Sequence, residues 1–391
     1  MKTALAAACM LALAGPALAA PYTPASGSQV IERVPPRSDP AQHELRRMRA
    51  QLAASPHDLA LAADLAQRYI ALARAGSDPR YYGHAQAALA PWWTMPAPPA
   101  RVRVLRATLL QSTHRFAEAL ADLDAVVSAA PADAQAWLTR ATVQTVTGDY
   151  AAANASCARL SGLAPQLVSA ACAAGVATLS GRSEASEVQL ERDLRQDSGA
   201  APVIQSWVLT LLAEMAVRRG DIQSAELRFL RALALDPRDS YLVGAYADLL
   251  LDQQRAREVL VLTQDQLRID ALLLRHALAL KQMPGRESAL RDASSELAAR
   301  FAAAQQRGDA THQREQARYE LHLRADSNAA LALARQNWAI QKEPADIRIL
   351  LEAALAANDL AAAAPAIAWV NRHALEDVAI QRLARRIAEG K

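Results

Sequence analysis

Apolar residues recur every three or four positions through most of this chain, which is the spacing of one buried face of an α-helix. Leu61, Leu65, Tyr69 and Leu72 mark one such face. The apolar runs are about 11 to 18 residues long, a usual helix length, and Gly, Asp or Pro residues separate them. The pattern therefore predicts a chain built of successive helices, without a β-sheet.

A longer periodicity, near 34 residues, lies on top of the helical one. A small residue is followed by a turn residue, then by Ala, then by Pro, always at the same intervals. The three copies are Ala107, His114, Ala119 and Pro131; Ala141, Gly148, Ala153 and Pro165; and Ala213, Gly220, Ala225 and Pro237. Self-similarity at this period is typical of two antiparallel helices that are stacked on further copies of the same pair.

The second copy shows why these residue types suit a helix pair. Ala141 and Ala153 are small enough to let two helix axes approach to about 8 to 10 Å. Gly148 can close the turn between them, and Asp149 can cap the next helix. Pro165 ends the second helix because it cannot donate a backbone hydrogen bond. Each pair leaves one face uncovered, which stacking on the next pair buries.

The same positions carry a resemblance to a known family. Trp137, Ala141, Gly148, Ala153 and Pro165 stand at the aromatic, small, turn, small and Pro positions of the tetratricopeptide repeat (TPR). A better match is formed by Leu209, Leu212, Ala213, Gly220, Ala225, Phe229 and Pro237. The chain therefore resembles the TPR family over roughly residues 57–372 and most closely over 100–263. Arg140, Gln144 and Cys157 depart from the pattern, so the repeats are degenerate.

The resemblance implies an all-α fold, a right-handed α-solenoid of stacked antiparallel helix pairs in a TPR-like superhelix. We expect residues 41–263 to form the N-terminal repeats and residues 264–391 to form more degenerate C-terminal repeats. The last helix should act as a cap at the end of the stack. Its inward residues are predicted to be Val378, Leu383 and Ile387.

The N-terminus has the layout of a secretory signal peptide over residues 1–19. Lys2 precedes an apolar run of about 12 residues, well short of the roughly 20 that span a membrane. Small residues end it, and we expect cleavage near Ala19, which places the bacterial protein in the periplasm or outside the cell. A lipid-bearing Cys9 and an ordinary cytoplasmic N-terminus are the alternatives. Residues 20–40 are rich in Pro and predict a flexible leader.

Residues 91–99 interrupt the helical rhythm with two Trp residues and four Pro residues. The Pro residues predict that no helix forms there. Trp92 and Trp93 should hold this loop against the helices, or else form an exposed recognition loop.

Charge and motifs exclude several functions. The 391 residues include 43 basic and 40 acidic ones, a net charge of +3, with both signs interleaved and without the basic stripe that nucleic acid requires. The sequence contains no G-x-S-x-G elbow, phosphate loop or H-E-x-x-H pair. We therefore expect no catalytic residues, cofactor or metal, and no membrane span in the mature chain.

Two cysteines, Cys157 and Cys172, remain after removal of the signal peptide. They fall on helices that should be antiparallel neighbours, so a disulfide is possible in an oxidising compartment. Both also occupy core positions, where Cys acts as a small apolar residue.

The candidate binding surface is the concave face, formed by the first helix of each pair. Its residues in the best-matching repeats are Trp207, Thr210, Glu214, Arg218, Tyr241, Asp248 and Asp252. Trp207 and Tyr241 are one repeat apart, an arrangement that suits an extended peptide, although packing at the inner rim would give the same pattern.

The sequence thus favours an exported, non-enzymatic scaffold that binds a protein or peptide partner in its groove, in cell-envelope assembly or as a periplasmic adaptor. The alternative is the non-catalytic helical body of an envelope enzyme or transport system that handles a polysaccharide or small ligand. The partner's identity is left open.

Overall fold

The computed structural model describes Ser26, residues 40–309 and residues 311–390, and all regular structure in them is helical. No strand occurs in these ranges, and their helices follow one another as packed pairs. The predicted all-α fold of stacked helix pairs is confirmed. The predicted signal peptide, 1–19, and all of the predicted leader except Ser26 and Pro40 lie outside the described residues.

The chain divides into two compact units, Met1–Arg47 and Met48–Lys391. This division falls within helix α1 (Pro40–Ala54). The boundary that we predict at residue 263 stays a prediction. Everything described below belongs to the second unit.

Twenty further helices follow α1 in the described part of the chain. They are α2 (Leu59–Gly76), α3 (Arg80–Ala88), α4 (Ala90–Trp93), α5 (Ala100–Ser112), α6 (Phe116–Ala129), α7 (Ala134–Thr147), α8 (Tyr150–Ala158), α9 (Gln166–Ala177), α10 (Ser183–Gln196), α11 (Pro202–Arg219), α12 (Ile222–Leu235), α13 (Ser240–Asp252), α14 (Ala256–Thr263), α15 (Asp270–Lys281), α16 (Glu287–Gln306), α17 (Gln313–Tyr319), α18 (Ser327–Ile340), α19 (Pro344–Ala356), α20 (Ala364–His373) and α21 (Val378–Ala388). Short 3₁₀ turns precede α15 and α20, and a π-helical turn, Glu320–Arg324, extends α17.

The Ala residues of the 34-residue pattern lie in the contacts between paired helices. All six are buried, with at most 1% of their surface exposed: Ala107, Ala119, Ala141, Ala153, Ala213 and Ala225. They lie in the extensive contacts of α5 with α6, α7 with α8, and α11 with α12. Small side chains here permit the close approach that the sequence predicts.

The turns inside the pairs reverse the chain through a left-handed residue. Gly148 and Gly220 have φ angles of +86° and +82°, and His114 holds the equivalent position at +57° without being Gly. The side chain of Asp149 then accepts a hydrogen bond from the N–H of Ala152 at 3.0 Å, which confirms the predicted cap.

The Pro-rich segment contains one turn of helix, contrary to the prediction. In α4, Pro91 lies in the first turn, where its missing N–H costs no intrahelical hydrogen bond. Trp92 is buried with 8% of its surface exposed, and Trp93 is half-buried. Trp92 therefore holds the segment against the helices.

The C-terminal helices contact the turns of earlier repeats. The N–H of Lys342 donates to the carbonyl of Val146 at 2.8 Å, just before the turn at Gly148. The ring of Tyr150 lies edge-on to that of His373, with centroids 4.9 Å apart. One apolar cluster accordingly contains residues from Ala141 to Leu179 together with residues from Ala317 to Ile387.

Helix α21 packs against α19 and α11. Its most buried residue is Ile380, with 1% exposed, followed by Ile387 with 8%. Val378, predicted to point inward, is 37% exposed and faces Gly220 from the end of the helix. The prediction for Val378 is wrong, because Asp377 starts the helix by accepting the N–H groups of Ala379 and Ile380, and this places Ile380 on the inner face.

Candidate functional site

The predicted binding residues lie on two first helices of adjacent pairs. Trp207, Thr210, Glu214 and Arg218 belong to α11, and Tyr241, Asp248 and Asp252 belong to α13. Spacings of three, four and seven residues keep each set on one side of its helix. We call these seven residues the inner row.

The two aromatic residues of the inner row are open to water. Trp207 is 39% exposed and Tyr241 is 59% exposed. They are the only aromatic members of the set of large, exposed apolar side chains in the described residues. Val203, one helical turn before Trp207, is exposed as well. This end of the inner row therefore presents apolar surface.

The structure brings Tyr241 and Glu214 together across the two helices. The Tyr241 hydroxyl donates to Oε1 of Glu214 at 2.6 Å. Burial raises the pKa of Glu214, against the lowering effect of the Arg218 charge. The charge of Glu214 and then burial raise the pKa of Tyr241 well above its ordinary value.

Together with Arg218 these side chains form a partly exposed patch of the inner row, made of Trp207, Glu214, Arg218 and Tyr241, which we call the recess. Charges from the C-terminal half reach it, because Glu343 and Arg314 both act on the pKa values of Glu214 and Tyr241. Arg218 is half-buried, and its Nη2 donates to Oγ1 of Thr178 at 3.1 Å. The recess therefore combines aromatic faces with charges of both signs.

Thr210 lies behind the recess and not in it. Only 5% of its surface is exposed, and its hydroxyl donates to the carbonyl of Ser206 at 2.8 Å. In this conformation Thr210 offers no polar atom to a partner.

At the other end of the inner row, Asp248 and Asp252 are hydrogen-bonded to arginines of later helices. Asp248 accepts hydrogen bonds from Arg275 at 2.5 Å and Arg318 at 2.8 Å, and Asp252 accepts two from Arg348 at 2.6 and 2.7 Å. Burial would raise the pKa of Asp248, but the charges of Arg275 and Arg318 lower it. Asp248 and Asp252 thus serve as internal contacts of the fold.

A buried polar cluster at the start of α19 was missed in the sequence. Asp346 is fully buried and accepts from the Asn337 side chain at 2.8 Å and from the Glu343 N–H at 2.9 Å. Burial raises the pKa of Asp346 to about 6, although the charge of Arg314 opposes this. The pattern Glu343-Pro344-x-Asp346 is a capping-box signal that could have located it.

Neither a metal site nor a membrane-spanning helix is found in the described residues. No group of three or more His, Cys, Asp or Glu side chains within them is arranged to hold a metal ion. None of the helices in that part of the chain is both long and apolar enough to cross a membrane.

A disulfide joins Cys157 of α8 to Cys172 of α9, with Cα atoms 5.5 Å apart. Both residues are also buried, at 2% and 8% exposure, so each of the two roles considered for them applies. The bond connects one helix pair to the next.

Comparisons with known proteins concern the fold. No protein-family model matches the chain, and no curated protein sequence matches it. Among similar solved structures, a tetratricopeptide repeat protein from Parabacteroides merdae has 12% identity and a TM-score of 0.36, covering 80% of this chain and 98% of its own. The APC/C hetero-tetramer Cut9-Hcn1 has 11% identity and a TM-score of 0.42, and the match covers 90% of this chain and 76% of that one. Yeast Tom70 has 12% identity and a TM-score of 0.35, and the match covers 90% of this chain and 91% of that one.

At these identities and TM-scores the comparisons carry no argument about function. The class of the protein follows from its own helix pairs, with buried Ala residues in the pair contacts and left-handed residues at the turns. The chain is a TPR-like α-solenoid.

Proposed function

We propose that this chain is an exported, non-enzymatic scaffold that binds a segment of a protein partner in the recess, in cell-envelope assembly or as a periplasmic adaptor. The observation that carries the proposal is the exposure of Trp207 and Tyr241 at equivalent positions of adjacent repeats. Exposed aromatic rings are costly to leave in water, and such rings dominate the energy of many protein interfaces.

The geometry favours an extended segment. Neighbouring first helices lie about 8 to 10 Å apart in this kind of packing, which is close to the span of three residues of extended chain. A peptide crossing α11 and α13 can therefore place one side chain against Trp207 and another against Tyr241. At the other end of the inner row, the carboxylates of Asp248 and Asp252 are already paired with Arg318 and Arg348.

Two features support export. The first is the basic residue, apolar run and small-residue end of residues 1–19, which are typical of a signal peptide. The second is the disulfide between Cys157 and Cys172, because disulfides persist mainly in oxidising compartments. Mass measurement of the protein from a periplasmic fraction tests this part, and an N-terminus at Ala20 is expected. An intact Met1 in the cytoplasm would contradict it.

The binding proposal is tested by the double variant Trp207→Ala plus Tyr241→Ala in a pull-down from native periplasm. We expect the helical circular-dichroism spectrum to be unchanged and the proteins captured by the wild type to be lost. Leu230→Ala, at an exposed apolar position on the second helix α12, is the matched control and should retain them. Unchanged capture by the double variant would refute the recess as the binding site.

A further inference from the structure

The carboxylates of the inner row differ in whether they form a salt bridge. Asp248 and Asp252 each have an arginine nitrogen within 2.6 Å. Glu214 forms no salt bridge within 4.0 Å among the described residues, and the partner of its carboxylate is the Tyr241 hydroxyl. Glu214 is therefore a half-buried carboxylate without a salt-bridge partner among the described residues.

One aromatic side chain touches Glu214, and a second lies further along the same helix. Trp207 precedes Glu214 by two helical turns on the same side of α11, and Tyr241 reaches Glu214 from α13. Both rings expose enough surface to receive another group. The face of an aromatic ring attracts a cation that lies within about 6 Å of the ring centre.

We infer that the recess takes a Lys or Arg side chain of the bound protein segment, with the Glu214 carboxylate as its counter-ion and the ring of Tyr241 beside it, while Trp207 receives a neighbouring side chain of the same segment. This inference rests on the proposed function, since it names the chemistry of the partner at the same site. A protein segment without a basic residue would leave Glu214 without a salt-bridge partner.

The nearest other charge is Arg218, one turn beyond Glu214. Its Nη2 donates to Thr178, its Nε is buried without a hydrogen-bond partner, and its guanidinium is more than 4.0 Å from the Glu214 carboxylate. Arg314 is held by Glu343 at 2.9 Å and by Asp346 at 3.3 Å. Burial raises the pKa of Glu214, which means that its charge is poorly solvated, and an incoming cation relieves this.

An acidic segment suits the recess less well. Its carboxylate would meet Glu214 at the rim and the charge of Glu343 behind it, while Arg314 is already occupied. Like charges at such distances disfavour binding.

The test is selection of a phage-displayed random peptide library on the full protein at neutral pH. We expect the selected peptides to be enriched in Lys and Arg at one position. For a synthetic copy of a selected peptide, isothermal titration calorimetry should show about tenfold weaker binding to Glu214→Gln, as expected for loss of a charge-assisted contact. Replacing the basic residue of the peptide by norleucine should weaken binding to the wild type equally, and to Glu214→Gln very little.

Two controls separate the outcomes. Glu184→Gln removes a carboxylate from an exposed position of α10 and should leave the affinity unchanged. Tyr241→Phe keeps the ring and removes the hydroxyl that is bonded to Glu214. It is a second variant at the same site, so misfolding of Glu214→Gln alone does not decide the result.

Peptides that depend on Trp207 and Tyr241 but lack a basic residue would overturn the inference and leave the proposed function standing. Selected peptides that bind Trp207→Ala plus Tyr241→Ala as well as the wild type would overturn both. Basic peptides that are indifferent to Glu214→Gln would overturn the role of Glu214.

Discussion

Gly148 shows how a single position can serve both the repeat and the wider fold. Its φ of +86° closes the turn between α7 and α8, where an L-residue is strained. A Cβ atom at this position would lie 2.4 Å from Cζ2 of Trp369. Trp369 packs against His373, with ring centroids 4.3 Å apart, and this contact opposes a shift of the Trp369 ring away from the added atom.

We therefore expect Gly148→Ala to be more destabilising than the same change at Gly162. Gly162 has a similar φ of +76° but nothing within 4 Å of the added Cβ, so Gly162→Ala measures the backbone cost alone. That cost is roughly 1 to 2 kcal/mol, and overpacking against Trp369 adds roughly 1 to 3 kcal/mol. Urea unfolding followed by circular dichroism measures both variants. Equal losses of stability would show that Trp369 does not limit this position.

The buried Ala, turn and capping residues could be predicted because each acts within one 34-residue unit. The roles of Thr210, Asp248 and Asp252 could not. Thr210 shares the helical spacing of Trp207, yet it lies far enough round α11 to be covered and to hydrogen-bond Ser206. The partner of Asp252 is Arg348, 96 positions away, and no local spacing in the sequence predicts such a pair.

At the scale of helices, α21 is held from its N-terminal end. Asp377 accepts the N–H groups of Ala379 and Ile380, which fixes the start of the helix and turns Ile380 inward. The sequence predicts the amphipathic helix but places Val378 on its inner face, because Val378 and Ile380 both fit a helical apolar stripe. What separates them is the position of the cap and the contact with α11 and α19.

Ile380→Ala should accordingly destabilise the protein far more than Val378→Ala. Removing a fully buried Ile side chain costs about 2 to 5 kcal/mol, because apolar burial is lost and a cavity is left. Val378 is 37% exposed, so its truncation should cost under about 1 kcal/mol. Thermal and urea unfolding of the two variants decide between the structure and the sequence prediction. Similar costs would mean that Val378 is as buried as the sequence suggested.

Across the whole second unit, charged groups connect helices that are distant in sequence. Arg348 of α19 donates to Asp252 of α13 and also to Glu352 at 2.8 Å. The Oε2 atom of Glu352 lies 3.2 Å from Nε2 of His322, on the π-helical turn after α17. Glu352 thus contacts His322 and Arg348, and Arg348 extends the network to Asp252 of α13, so that it links the C-terminal helices to an earlier repeat.

This network predicts acid sensitivity with a definite sign. Burial would raise the pKa of Glu352, but the hydrogen bond with His322 and the charge of Arg348 lower it to about 2. A carboxylate whose pKa is lowered by folding stabilises the protein above its unfolded pKa, near 4.5, and loses that contribution as the pH falls towards 2. The contribution is on the order of 3 kcal/mol at neutral pH.

Glu352→Gln should therefore be less stable than the wild type at pH 7, because Gln keeps the shape but not the charge that pairs with Arg348. The difference should shrink between about pH 4.5 and pH 2, where Glu352 of the wild type also becomes neutral. Taking the difference between the two proteins cancels the titration of groups that do not interact with Glu352, such as Asp346. Urea unfolding at a series of pH values measures it, and a difference that is the same at pH 7 and pH 3 would show that Glu352 carries no charge-dependent share of the stability.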